Sequence, residues 1–297
     1  MVKITTEKKF SMKIGIVGLG LIGGSLGRTI VSRTNHVVYA YDLSNRAMLD
    51  GKLLSAYHHE LNDDNIGDID ILFLSLYPEA LEIALNEYCK KLKKGCLVAD
   101  CCGNKRRVTE QMKELAKLYP HLDFISTHPM AGREFSGVSH STATLFDRAS
   151  MILVPVKADI KRIAELKAFS LEIGFGSVVI TTAEKHDEII AYTSQLAHLV
   201  SSSYIKSKTA SQFMGFSAGS FRDMTRVARL SPEMWSQLTV DNADFLVGEI
   251  DSIINSLTEY KNALQNKDKQ TMINLLADGN EKKLLSEKMR RTGKNEN

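Results

Sequence analysis

Histidine 128 stands directly before Pro129 in the stretch T-H-P-M-A-G, just past an apolar run at 123–126 that reads as a strand. Imidazole is the side chain best suited to take a proton near neutral pH. Loops that follow strands are where an open α/β sheet presents its chemistry. Alone, a histidine in that place serves either as a general base or as a packing and capping residue. A second one, His198, lies on an expected helix over 183–206, where Ser194, His198 and Ser201 recur at i, i+4 and i+7 as a small polar stripe. It is either a site residue or a satisfied histidine between helices.

Near the start, residues 13–27 read K-I-G-I-V-G-L-G-L-I-G-G-S-L-G. A buried strand stops at a tight turn and a helix opens, so Gly18, Leu19, Gly20, Leu21, Ile22 and Gly23 form a cradle for a pyrophosphate. The helix N-terminus adds unpaired N–H groups and the positive end of its dipole. A further apolar run at 36–41 ends in Asp42, 24 positions after Gly18. That is close to the ~20-residue offset at which a carboxylate meets the adenosine ribose. A carboxylate there repels a 2′-phosphate and favours NAD over NADP, although Arg46 either stacks on adenine or serves such a phosphate. Leu76, in the loop after the next strand, borders the same crevice.

The elements that hold these residues follow in order. Beyond the first two strands, apolar runs at 70–75, 96–100, 123–126, 151–154 and 176–181 read as strands. Helices are expected after Ser44, from Pro78, over 105–118 and over 159–172. Strand and helix alternating in this way predict an α/β fold of Rossmann type, a doubly wound, mostly parallel sheet. After residue 181 only helical stretches remain, at 183–206, 209–230, 232–264 and 269–285. The expected organisation is a dinucleotide-binding domain over 12–181, an all-helical substrate and dimerisation domain over 182–289, and a polar tail at 290–297.

A formal net charge of +3 over 297 residues does not argue for nucleic acid; it suits a small anionic substrate. No apolar stretch reaches the ~18 residues that span a membrane. Residues 1–12 carry charge without an apolar core, so no secretion signal is expected. Cysteines at 89, 96, 101 and 102 make neither a C-x-x-C pair nor a zinc-like spacing. No metal site is expected, and free thiols in a reducing cytoplasm are.

The glycine loop G-L-G-L-I-G-G-S-L, the stretch T-H-P-M-A-G and a third segment, G-S-F-R-D-M-T-R-V-A at 219–228, together resemble the prephenate and arogenate dehydrogenases of tyrosine biosynthesis. The resemblance runs roughly over residues 12–285. It implies an NAD-dependent oxidation in which the C4 hydrogen of a cyclohexadiene leaves as hydride while the C4 hydroxyl loses its proton. Carbon dioxide then departs and the ring becomes aromatic. It further implies that His128 takes the proton, that Arg226 binds a substrate carboxylate and that His198 lies near nicotinamide and substrate. It places Glu134 near the site entrance, where that residue either pairs with an active-site arginine or is an ordinary solvated surface carboxylate. Helical domains of this kind pair with another subunit, so a homodimer is expected. On a continuous helix, Arg222 and Arg229 lie one turn to either side of Arg226. They are either further substrate cations or a solvated basic face.

One departure stands out. The family usually reads Asp-x-Gly-Ser-x-Lys after the fourth strand, with the serine touching substrate and catalytic histidine. Here 100–105 is D-C-C-G-N-K, and Gly103 takes the serine's place. Asn104, Cys102 or a water stands in for the hydroxyl, or the substrate side chain differs. The residues do not separate prephenate from arogenate. The alternatives are a β-hydroxyacid dehydrogenase using a lysine of the helical half, such as Lys185, Lys206 or Lys208, and a non-catalytic NAD-sensing module.

Overall fold

The computed structural model describes residues 11–292; most of the N-terminal stretch considered above and residues 293–297 of the expected tail lie outside the described residues. The order of elements is β1 (Lys13–Val17), α1 (Leu21–Arg33), β2 (Val37–Tyr41), α2 (Asn45–Leu53), β3 (His59–Glu60), β4 (Ile71–Leu74), α3 (Pro78–Tyr88), β5 (Leu97–Asp100), α4 (Arg106–Leu118), β6 (Asp123–Pro129), β7 (Ser150–Lys157), α5 (Ile160–Glu172) and β8 (Ser177–Ile180). Eight strands form one sheet in the order β3-β2-β1-β4-β5-β6-β7-β8. All neighbours are parallel except β6 and β7. The chain between those two, 130–149, holds only a short 3-10 turn, so no helix carries it across a face to restore the parallel direction.

Consecutive residues of the central strands face opposite layers. Ile14, Ile16, Phe73 and Ala99 join one buried cluster, while Val17, Leu72, Leu74 and Val98 join the other. Helices cover both faces of such a sheet, and this explains near-continuous apolar runs in place of alternation. Strand order reverses between β1 and β4, and the crevice lies outside the carboxyl ends at that point. The residues following β1, β2, β4 and β5 are those singled out by sequence, whereas β6 runs on to Pro129, so His128, expected just past the strand, is its penultimate residue and pairs with Ile152 of β7.

After β8 the described residues are helical: α6 (Ala183–Ile190), a π turn (Ala191–Leu196), α7 (Ala197–Tyr204), a 3-10 turn (Lys208–Gln212), α8 (Gly219–Thr225), a 3-10 turn (Arg226–Ala228), α9 (Pro232–Asp241), α10 (Ala243–Gln265) and α11 (Lys269–Thr292). Several expectations are corrected here. The helix expected over 209–230 is broken, because Gly215 takes a φ of +80° and Phe213 folds back to stack on Phe221 at 4.9 Å. The helix expected over 232–264 ends at Asn242, whose buried amide leaves the helical pattern to bond Asp187 and Gln195. The helix over 183–206 carries the π turn, which shifts the phase of its downstream half. α11 continues to Thr292, into the stretch expected as tail. The two-residue strand β3 is too short to leave a pattern.

Two compact units are present, Met1–Asn242 and Ala243–Asn297. Every candidate site residue belongs to the first. The second is a pair of helices, α10 and α11, turning at Lys267 (φ +53°) with Asp268 capping α11 through the Thr271 amide. It leaves Ile254, Leu257, Leu264, Ile273 and Leu276 exposed. Among the described residues no helix is long and apolar enough to cross a membrane.

Candidate active site

The turn after β1 brings strand and helix into close contact at a helix N-terminus. Gly18 has a φ of +93°, and a Cβ on Gly23 would sit 1.9 Å from the Gly18 carbonyl oxygen, so helix and strand close on each other only without side chains. Gly20 is the N-cap of α1 and makes no side-chain cap bond; the first turn holds no acidic residue. The orphan N–H groups of Leu21, Ile22 and Gly23 are left for an anion. At the end of β2 the Asp42 carboxylate accepts the N–H of Leu19 at 2.7 Å and of Ser44 at 2.8 Å. Both oxygens keep a further lone pair able to accept from a hydroxyl. Arg46 pairs with Asp50 one turn along α2 at 2.9 Å. Leu76 lies beside Gly18, where its side chain would meet any Cβ added there.

At the end of β6, His128 is partly exposed, and its Nδ1 lies 2.8 Å from Nε2 of His186. His186 Nδ1 is 2.7 Å from Asp187 Oδ1. Among the described residues nothing bonds Nε2 of His128, and this nitrogen is not among the buried unpartnered atoms. The backbone beneath is fixed by a buried ion pair: Lys105 Nζ donates to Asp100 and, at 2.7 Å, to the Thr127 carbonyl next to His128. Asp100 also accepts from Ser126 and from the Cys102 amide. Burial, with the His186 ring and the Lys105 charge adding to it, holds the His128 pKa well below the ordinary 6.5. This ring is neutral at physiological pH.

His198 lies in the first turn of α7, directly after the π turn. Its Nδ1 donates to the Ser194 carbonyl at 2.8 Å, and Trp235 of α9 packs on its ring at 4.1 Å between centroids. The expected stripe of side chains is not what forms: Ser194 contributes its carbonyl, and Ser201 turns to the Met224 carbonyl. Burial and the nearby Arg226 charge lower the His198 pKa, partly opposed by the bond to Ser194. Arg226 meets Glu134 at 2.8 Å across 92 positions of sequence, and that bond lowers the Glu134 pKa. The three arginines do not share a helix face, because α8 gives way to a 3-10 turn at Arg226. Arg222 is exposed on α8, and Arg229 lies over the Phe135 ring at 5.2 Å.

Models of two families cover most of the sequence. The nucleotide-binding domain of prephenate dehydrogenase matches residues 26–180, and the dimerization domain of prephenate dehydrogenase matches 182–278. The chain belongs to the prephenate dehydrogenase family. A cyclohexadienyl dehydrogenase of Zymomonas mobilis is 31% identical over 265 residues, 86% of this chain and 89% of the relative. A prephenate dehydrogenase of Bacillus subtilis is 26% identical, over 86% of this chain and 71% of its own length. The crystal structure of prephenate dehydrogenase from A. aeolicus, in complex with hydroxyphenyl propionate and NAD+, superposes with a TM-score of 0.79 at 22% identity, covering 94% of this chain and 99% of that one. That likeness carries the fold. The glycine cradle precedes residue 26, so its reading rests on the local geometry.

Within this prephenate dehydrogenase family member, Gly103 is filled from the other side. A Cβ there would lie 3.1 Å and 3.3 Å from the two methyl carbons of Leu238, a buried side chain of α9. We expect Gly103→Ser to cost about 1 kcal/mol by overpacking. The cost should vanish in a Leu238→Ala background, as a double-mutant cycle of thermal unfolding would register. Additive losses would contradict this coupling. Asn104, one of the candidates to replace the family serine, points elsewhere: its amide donates to the Leu238 carbonyl and accepts from Gln195. Burial pushes the thiols of Cys101 and Cys102 up to about 11.

Three residues in this neighbourhood carry no motif: His186, Asp187 and Trp235. A signal for the first two was present. They fall with Ile190 of α6 and Ala191 of the π turn on one buried stripe, and titratable groups on an apolar stripe need partners. Asp187 is also the cap that α4 lacks, accepting the N–H of Lys105 at 2.8 Å and of Arg106 at 2.9 Å. Among the described residues no cluster suited to a metal ion occurs.

Proposed function

We propose that this protein catalyses the NAD-dependent oxidative decarboxylation of prephenate to 4-hydroxyphenylpyruvate. The observation that carries the reading is His128: a neutral, partly exposed imidazole whose Nδ1 is already engaged and whose Nε2 has no partner among the described residues. Bound NAD supplies the hydride acceptor. His128 takes the proton of the C4 hydroxyl as hydride leaves C4, and returns it to the phenolic oxygen once carbon dioxide has gone. His198, with Nδ1 occupied, offers Nε2 to the substrate as a second acceptor. Arg226 exchanges its exposed Glu134 partner for a substrate carboxylate, with two parallel bonds that fix orientation. Gly18, Gly20, Gly23 and Asp42 hold the cofactor; Gly103 leaves room for Leu238 beside the site.

Arogenate is the second reading, favoured by the Zymomonas relative, whose name covers the cyclohexadiene class. Initial rates of NADH formation with prephenate and with arogenate, each offered NAD and NADP, discriminate them. Higher kcat/KM with prephenate and NAD is expected; a preference for arogenate or NADP would overturn that choice.

We also propose a cytoplasmic homodimer. Support comes from the matched dimerization domain and from apolar residues left exposed on α10 and α11. Light scattering should give twice the 33.1 kDa chain mass; a single-chain mass would contradict the dimer.

A further inference from the structure

His128 has two ring nitrogens, and only one of them can be the base. Which one is decided by the chain His128–His186–Asp187. Asp187 receives two backbone N–H groups and the Arg106 side chain, so its carboxylate is ionised and accepts only. His186 Nδ1, 2.7 Å away, must therefore carry the hydrogen. Burial keeps His186 neutral, so its Nε2 has a lone pair and no hydrogen. The contact of 2.8 Å to His128 then closes in one way: His128 Nδ1 carries the hydrogen and donates it. The lone pair of His128 is left on Nε2, the nitrogen without a partner.

We infer that His186, itself oriented by Asp187, is a positioning residue that holds His128 in the single tautomer able to act as a base. This rests on the reading of His128 as the proton acceptor. Asp187 couples the arrangement to the scaffold. It caps α4 and sits beside the buried amides of Asn242 and Gln195, Asn242 donating to the Asp187 carbonyl at 2.9 Å and to Gln195 at 2.8 Å. Without an acceptor at position 186, the neutral His128 ring is free to put its hydrogen on Nε2 and present a donor where a base is needed.

The test compares His186→Leu with His186→Gln in the full-length protein. Leucine fills the space and offers no acceptor; the glutamine oxygen can still accept from Nδ1–H. We expect His186→Leu to lower kcat about 10²-fold, as misplaced catalytic groups do, with the prephenate KM and NAD affinity within about twofold of wild type. His186→Gln should recover at least about tenfold of that loss, which a packing role alone would not give. Nitrogen NMR of histidine-labelled protein should find His128 as the Nδ1–H form in wild type and a mixture in His186→Leu. A wild-type His128 in the Nε2–H form overturns the inference even where a variant fails to fold. So does a His186→Leu enzyme within about threefold of wild-type kcat. His128→Asn in the same assay separates the two levels. If it is inactive while His186→Leu is normal, only the positioning role falls. If it is active, the base assignment falls with it.

Discussion

Replacing His128 with asparagine lowers kcat by about 10²–10⁴, the range for removal of a general base, while NAD binds as in wild type. Asparagine keeps a polar group of similar reach and cannot accept the proton. The glycine turn after β1 and the Asp42 carboxylate, proposed to hold the cofactor, are untouched by the change. The pH profile of the wild-type enzyme follows from the same ring. A base works only when unprotonated, and His128 is held well below 6.5 by burial, by the His186 ring and by Lys105. The activity should therefore stay level as the pH falls through 6.5 and decline only below it. Initial rates across the acid range check this; an acid limb centred at or above 6.5 would contradict the environment described for His128.

Replacing Arg226 with alanine raises the substrate KM by about 10- to 100-fold, the worth of hydrogen bonds to a charged group. Stability should barely move. The Arg226 side chain is 62% exposed and its Glu134 partner 31%, and exposed ion pairs of this kind contribute little. Arg226→Lys keeps the charge and loses the planar fork, so it should recover only part of the affinity. Steady-state kinetics with NAD saturating measure the effect, and direct NAD titration supplies the control. An unchanged KM in Arg226→Ala would remove this arginine from the substrate site.

The parallel sheet was legible because each strand is buried on both faces and each turn carries its own signal: Gly18 at the first, Asp42 at the second, Pro78 opening α3. Both faces bury the strand residues that sequence singled out, such as Ile16 and Leu72. The reversal at β7 was not legible, since an apolar run is the same whether its neighbour is parallel or antiparallel. In the helical half, periodicity overran the breaks. Residues 213–219 are apolar enough to continue a helix pattern, yet the positive φ of Gly215 and the Phe213–Phe221 stack end it. That break places Arg226 opposite Glu134 and removes Arg229 to the Phe135 ring. His128 stood out because a strand end and a proline frame it. His186 did not, because its meaning depends on a partner 58 positions away in sequence. The apolar stripe of α6 tells that His186 and Asp187 need partners, and only the fold tells which.

In the proposed reaction one turnover couples hydride transfer to loss of carbon dioxide, with His128 holding the proton. Purified protein mixed with NAD and prephenate should release NADH and carbon dioxide in equal amounts, and His128→Asn should release neither at a comparable rate. NADH without carbon dioxide would point to an ordinary hydroxyl dehydrogenase, and undiminished release by His128→Asn would contradict the account at its base.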